Sequence, residues 1–181
     1  MIKKIVQKEN PILRKTAGTV TQEIIGSEKL SRIIREMSEA LAESEDGVAI
    51  AGPQLGYSLR LFVVSQKAFE IGTNEDTENS LRDKRKPYQL VYINPTITRK
   101  SSKKVVLDEG CLSVRGIFGK IERHEKVTIE ALDEHGKKFS RGASGLLAEI
   151  FQHETDHLRG ILFTDTAKNL IKMVKKQSES K

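Results

Sequence analysis

Residues 144–160 read Ser-Gly-Leu-Leu-Ala-Glu-Ile-Phe-Gln-His-Glu-Thr-Asp-His-Leu-Arg-Gly. Ser144 suits an N-cap and Gly160 stands just past the last turn, so the punctuation predicts a helix from Gly145 to about Arg159. Leu146, Leu147, Ile150 and Phe151 give that helix an apolar side and make it a core element. Its second half carries His153-Glu154-Thr155-Asp156-His157, an H-E-x-x-H array. Residues four apart share a helical face one turn apart, so both imidazoles can reach one metal ion. Glu154 is rotated about 100° from His153 and can touch a water beside such an ion without ligating it. A core helix whose histidines only pack or hydrogen-bond is the plainer alternative.

A catalytic metal site needs a third protein ligand and one open position. H-E-x-x-H sites commonly take a Glu or His from downstream, where the chain offers only Glu179, in a polar tail. Upstream lies Glu109-Gly110-Cys111-Leu112-Ser113, and Cys111 is the only thiol. Its thiolate would complete a Cys-His-His set with a vacant fourth corner. Taken alone, a single cysteine is as readily a small buried hydrophobe.

Working outward, Leu30, Ile33, Ile34, Met37 and Leu41 recur at helical spacing behind Ser27, predicting a helix over about 28–43. Strands are expected at 60–64, 90–93, 105–107 and 127–132. Asp133-Glu134-His135-Gly136 reads as the turn of a hairpin returning through 137–139. Leu170, Ile171 and Val174, interleaved with Lys168, Lys172, Lys175 and Lys176, predict a basic helix from about Thr166 to Lys176 and a tail to 181. The polar run from Gly72 to Pro87 is an exposed charged loop. Helices and strands do not alternate regularly, so the class is α+β: small strands and hairpins around a central metal-binding helix, with a C-terminal helix. One catalytic domain over 1–181 suits the length.

Lys and Arg number 31 against 25 Asp and Glu, a net charge of +6. This mild bias permits contact with nucleic acid without demanding it. Apolar runs such as Leu61–Val64 are far too short to cross a bilayer, and the first eight residues lack an apolar stretch of signal-peptide length. One cysteine excludes an internal disulfide and suits a reducing compartment, hence a cytoplasmic location. The clustered lysines near the C-terminus could bind phosphates, which suggests ribosomal RNA; a solvated helix packed by Leu170 and Val174 explains them too.

Three segments together resemble the peptide deformylase family. Its motifs E-G-C-L-S and Q-H-E-x-D-H-L stand unaltered at 109–113 and 152–158. Its G-x-G-x-A-A-x-Q motif appears at 47–54, with Ala49 where glycine is usual and Gly52 where alanine is usual. The match runs from about Pro11 to Asp165. This resemblance implies removal of the N-formyl group from the initiator methionine of nascent polypeptides, with no membrane or DNA partner. It implies Fe(II) on Cys111, His153 and His157, with Zn(II) or Ni(II) able to occupy the same ligands. Glu154 would serve as the base, and the Gln54 side chain and Leu112 N–H would donate to the oxyanion. Val48, Ala49, Gly110, Val114, Leu146 and Ile150 would line the methionine pocket, unless they are plain core. Glu109 and Asp156 would orient ligands or pair with a buried cation such as Arg123. Arg115 and Glu149 depart from the proline and the apolar residue frequent at their positions. A zinc peptidase and a noncatalytic metal-binding module are the competing readings.

Overall fold

The computed structural model describes residues 2–71 and 90–173. The expected 72–87 loop and the chain beyond 173 lie outside the described residues. The described residues form three α-helices: α1 (Glu28–Ala42), α2 (Lys67–Ile71) and α3 (Gly145–His157). Strands β1 (Ala49–Ala51), β2 (Leu61–Val64), β3 (Leu90–Lys100), β6 (Lys126–Leu132) and β7 (Lys138–Ser144) form one antiparallel sheet in that order. A second sheet joins β4 (Lys104–Gly110), β5 (Ile117–His124) and β8 (Lys168–Lys172). The α+β class holds.

The continuous apolar run of β2 exists because that strand is covered on both faces. Side chains alternate along a strand. Phe62 and Val64 therefore join Ala49, Ala51 and Tyr92 in a cluster with Ala148, Ile150 and Phe151 of α3. Leu61 and Val63 point the other way, with Ile50, Val91 and Ile93, onto Leu30, Ile33, Met37 and Leu41 of α1. The Ser27 hydroxyl caps α1 by accepting the Leu30 N–H at 3.2 Å. Phe62 stacks on Tyr92 at 4.6 Å between ring centroids, and Phe151 lies 5.0 Å from Tyr92. On its other side α3 meets β5, so it is held between the two sheets.

β3 runs seven residues past its expected end at Ile93. Pro95 lacks an N–H, and the ladder with β6 shifts register between Ile93 and Thr96, as a bulge allows. Asn94 sits there at φ 51°. Its amide locks the kink by bonding the Val20 N–H and carbonyl at 2.9 and 2.8 Å.

The expected helix over 166–176 is not formed in the described residues: Lys168–Lys172 is strand β8. Five residues, Lys-Asn-Leu-Ile-Lys, are too few to fix a period, so the apolar spacing that suggests a helix does not decide the local structure. The open edge of β5 does, pairing Phe118 with Ile171 and Lys120 with Lys168. Gly119 makes room for this, since a Cβ there would stand 2.7 Å from the Leu170 side chain.

A similar close approach explains Gly52. A Cβ added there would lie 2.8 Å from the Leu59 carbonyl oxygen and 3.1 Å from that of Tyr57. Both obstacles are main chain and cannot swing aside. Gly52→Ala, although it restores the residue usual in the motif, is expected to cost about 1–3 kcal/mol. Thermal melting checks this: a Tm equal to or above that of the unaltered chain contradicts it.

Candidate active site

His153 and His157 come from the last turns of α3, and Cys111 follows the end of β4. The Cys111 Sγ lies 3.2 Å from His157 Nε2, and the ligand atoms of Cys111, His153 and His157 all fall within 4.8 Å of one another. Donors 2.0–2.3 Å from one ion at tetrahedral corners stand about 3.5 Å apart, so the set fits a mononuclear site. Its chemistry, one thiolate and two imidazoles, suits a late first-row divalent ion. Burial chiefly holds the His157 ring in the neutral form that ligates.

The His153 Nδ1 is 3.0 Å from Glu109 Oε2, which turns Nε2 toward the thiol. Glu109 is 1% exposed and takes two further bonds from Arg123, at 2.6 Å from Nε and 3.0 Å from Nη2. The same guanidinium donates from Nη1 to Asp156 at 2.6 Å. Burial alone would raise the Glu109 carboxyl, but the bonds from His153 and Arg123 outweigh it and hold the pKa at about 2. Asp156–Arg123–Glu109–His153 is thus one hydrogen-bonded chain, buried at Arg123 and Glu109, that ends on a ligand ring. Such partners fix a ring's orientation and tautomer.

Glu154 is 4% exposed, and its Oε2 has no hydrogen-bond partner among the described residues. Burial chiefly pushes its carboxyl up to about 7. Gln54 faces the thiol, its Nε2 lying 3.6 Å from Cys111 Sγ and 3.2 Å from Ser113 Oγ. Its Oε1 accepts the Ala51 N–H at 2.8 Å, which points the NH₂ end inward.

Of the expected pocket residues, Val48, Ala49, Leu146 and Ile150 share the cluster around Phe151. Val114 lies in another, with Leu13, Ile121, Leu162 and Phe163. Gly110 is roofed by the Phe118 ring, 2.7 Å from a would-be Cβ. Glu149 is half-buried one turn before His153, and burial followed by the Glu109 charge raises it to about 7. Two supports were not legible. Gln152 grips β5 through the His124 N–H and carbonyl at 2.9 and 3.0 Å, although its motif was read. Gln7 donates to the Leu112 carbonyl at 3.2 Å from a segment with no sequence signal.

An H-E-x-x-H helix between two antiparallel sheets, with its third donor at a strand end, places the fold among metal-dependent hydrolases. The polypeptide deformylase family model matches residues 2–173. The chain is 37% identical over 171 residues to peptide deformylase 2 of Clostridium acetobutylicum, covering 94% of this chain and 99% of that one. It is 40% identical over 164 residues to a peptide deformylase of Dehalococcoides mccartyi, covering 91% and 85%. At 38% identity over 161 residues, it aligns 89% of its length with 58% of the chloroplastic peptide deformylase 1A of Solanum lycopersicum. The crystal structure of peptide deformylase from Thermotoga maritima matches with a TM-score of 0.75 and 32% identity, over 93% of this chain and 99% of that one. The chain belongs to the polypeptide deformylase family. It is a hydrolase that removes the N-formyl group from the N-terminal methionine of polypeptides, a metal-dependent reaction in this family.

Proposed function

We propose that Cys111, His153 and His157 hold Fe(II), and that Zn(II) or Ni(II) can take the same ligands, in an enzyme acting on N-formyl-methionyl nascent polypeptides in the cytoplasm. The convergence of one thiol and two imidazole nitrogens within 4.8 Å carries this reading. The bound ion supplies Lewis acidity, which eases ionisation of water near neutral pH. Glu154 takes the proton from the attacking water through its unpartnered Oε2 and delivers it to the departing amine nitrogen. The water oxygen bonds to the formyl carbon, the C–N bond breaks, and formate and a free amino terminus result. Gln54 Nε2 and the Leu112 N–H donate to the formyl oxygen as it gains charge. Val48, Ala49, Gly110, Val114, Leu146 and Ile150 surround the methionine side chain.

The cytoplasmic assignment is supported by the single free thiol and by the absence, among the described residues, of a helix long and apolar enough to cross a membrane. Contact with the ribosome would use Lys168 and Lys172, exposed on β8, rather than a basic helix. A chain ended at 173 that pellets with ribosomes as well as the full chain, together with loss of pelleting in a Lys168→Ala/Lys172→Ala variant, would put that contact on the strand; pelleting by the double variant equal to that of the full chain would reject it.

The deciding experiment loads the protein with iron in the absence of oxygen and times formate release from formyl-Met-Ala-Ser. Cleavage of internal peptide bonds without formate release would favour the peptidase reading instead. In the same assay Gln54→Ala is expected to lower kcat by about 10²–10³, with the bound metal retained. Unchanged kcat removes Gln54 from the oxyanion site.

A further inference from the structure

Residues 2–5, Gln7, the C-terminal end of α1 and Arg115 line an open cavity of about 390 Å³, within the size range of small-ligand pockets. Lys3, Lys4 and Arg115 line it against one carboxylate, Glu43. Lys3 is already engaged, its ammonium 3.6 Å from the centre of the Tyr57 ring and 4.0 Å from Glu36. Lys4 and Arg115 are exposed and make no hydrogen bond or ion pair among the described residues. Elsewhere Lys103, Lys104 and Lys120 each face a carboxylate at 2.6–2.9 Å. The cavity therefore carries uncompensated positive charge.

Both flanks of the active site lead to it. Gln7 lines the cavity and donates to the Leu112 carbonyl, while its neighbour Val6 donates to the Gln54 carbonyl at 2.9 Å. Ser44 lines the opposite wall and accepts the N–H of Gly47 at 3.3 Å, where the segment bearing Gln54 begins. Arg115 stands four residues past Cys111, beyond a turn closed by the Val114 N–H on the Cys111 carbonyl at 3.0 Å.

We infer that this cavity is a distal subsite for the peptide substrate, taking acidic side chains from about the third residue onward through Lys4 and Arg115. The inference rests on the deformylase reading and extends it to substrate preference. A peptide with its formyl end at the thiol and imidazoles would leave along the segments of Gln54 and Leu112, which Val6 and Gln7 tie to the lining of the cavity. An extended chain advances about 3.3 Å per residue, so residues beyond the second are the first to clear the reacting groups. A guanidinium fork matches a carboxylate, and a second cation beside it favours charge over a neutral side chain.

The test measures kcat/KM for formyl-Met-Ala-Ser-Glu-Glu and formyl-Met-Ala-Ser-Lys-Lys, each relative to formyl-Met-Ala-Ser. The acidic peptide is expected to lead by about three- to tenfold at low salt, through KM. That lead should collapse toward one in a Lys4→Ala/Arg115→Ala variant, and also at about 0.5 M salt. A ratio of one or less in the native chain, or a lead that the double variant leaves intact, overturns the subsite. Anisotropy of labelled Met-Ala-Ser-Glu-Glu reads the same cavity without turnover: weaker binding to the double variant supports the subsite, and equal binding rejects it. If no formylated peptide releases formate, the deformylase reading fails while this binding result still decides the subsite.

Discussion

Glu154→Gln lowers formate release by about 10²–10⁴-fold while the protein keeps its metal and its fold. The substitution preserves shape and removes only the ability to take and return a proton. Its consequence for stability runs opposite to that for activity. The Glu154 carboxyl is held at about 7, mainly by burial, above the ordinary carboxylate value. An acid whose folded pKa is raised destabilises the fold as pH climbs through the interval between its unfolded and folded values. In the metal-free protein the Gln variant should therefore melt several degrees higher than the parent at pH 8, and no higher at pH 4. Metal content and formate release of the loaded protein, and melting of the same preparation after the metal is removed, separate the roles. Metal lost together with turnover would make Glu154 a ligand and not a base. A higher Tm at pH 8 beside a collapsed turnover is the signature of a group kept for chemistry at the expense of stability.

The residues easiest to place from sequence were those whose chemistry allows few alternatives. One thiol in the chain left little choice of sulfur donor for the histidine pair, and fixed helical spacing set that pair on one face. The strand at 60–64 was legible as an unbroken apolar run, and the structure gives the reason for that run in burial on both faces. β5 escaped because its inward positions are Gly119, Ile121 and Arg123. A glycine and a cation hide the alternation that usually marks a strand. Both choices have tertiary reasons, since Gly119 admits the Leu170 side chain and Arg123 neutralises two carboxylates from other elements. β8 carries too short a pattern to fix any period, and only the edge of β5 makes it a strand. Gln7 lies 105 residues from Leu112, and no local pattern announces a bond across that separation.

Arg123 gives the largest expected loss of stability. At 7% exposure it donates to Glu109 and Asp156 together, and their hydrogen bonds and charges outweigh burial in raising its pKa. Arg123→Met fills a similar volume but strands two carboxylates, one of them 1% exposed. Removing one partner of a buried ion pair costs about 3–5 kcal/mol, and each kcal/mol is worth about 2–4 °C of Tm at this chain length. The variant should accordingly melt about 6–20 °C lower. Lys103→Ala, which breaks an exposed pair with Glu125, should move Tm by no more than about 4 °C. The same contrast reaches the site. Without the guanidinium Glu109 loses two of its bonds and the His153 ring loses a fixed acceptor, so metal affinity should fall by about 10–100-fold. Glu109→Gln in the Arg123→Met background removes one stranded charge, and should recover part of the melting temperature but none of the metal affinity, since the carboxylate that orients His153 is then gone as well. Recovery of both would mean that Arg123 serves only to neutralise charge. A Tm within 2 °C of the parent for Arg123→Met alone would mean that water reaches this chain of carboxylates and that its burial does not constrain the ring.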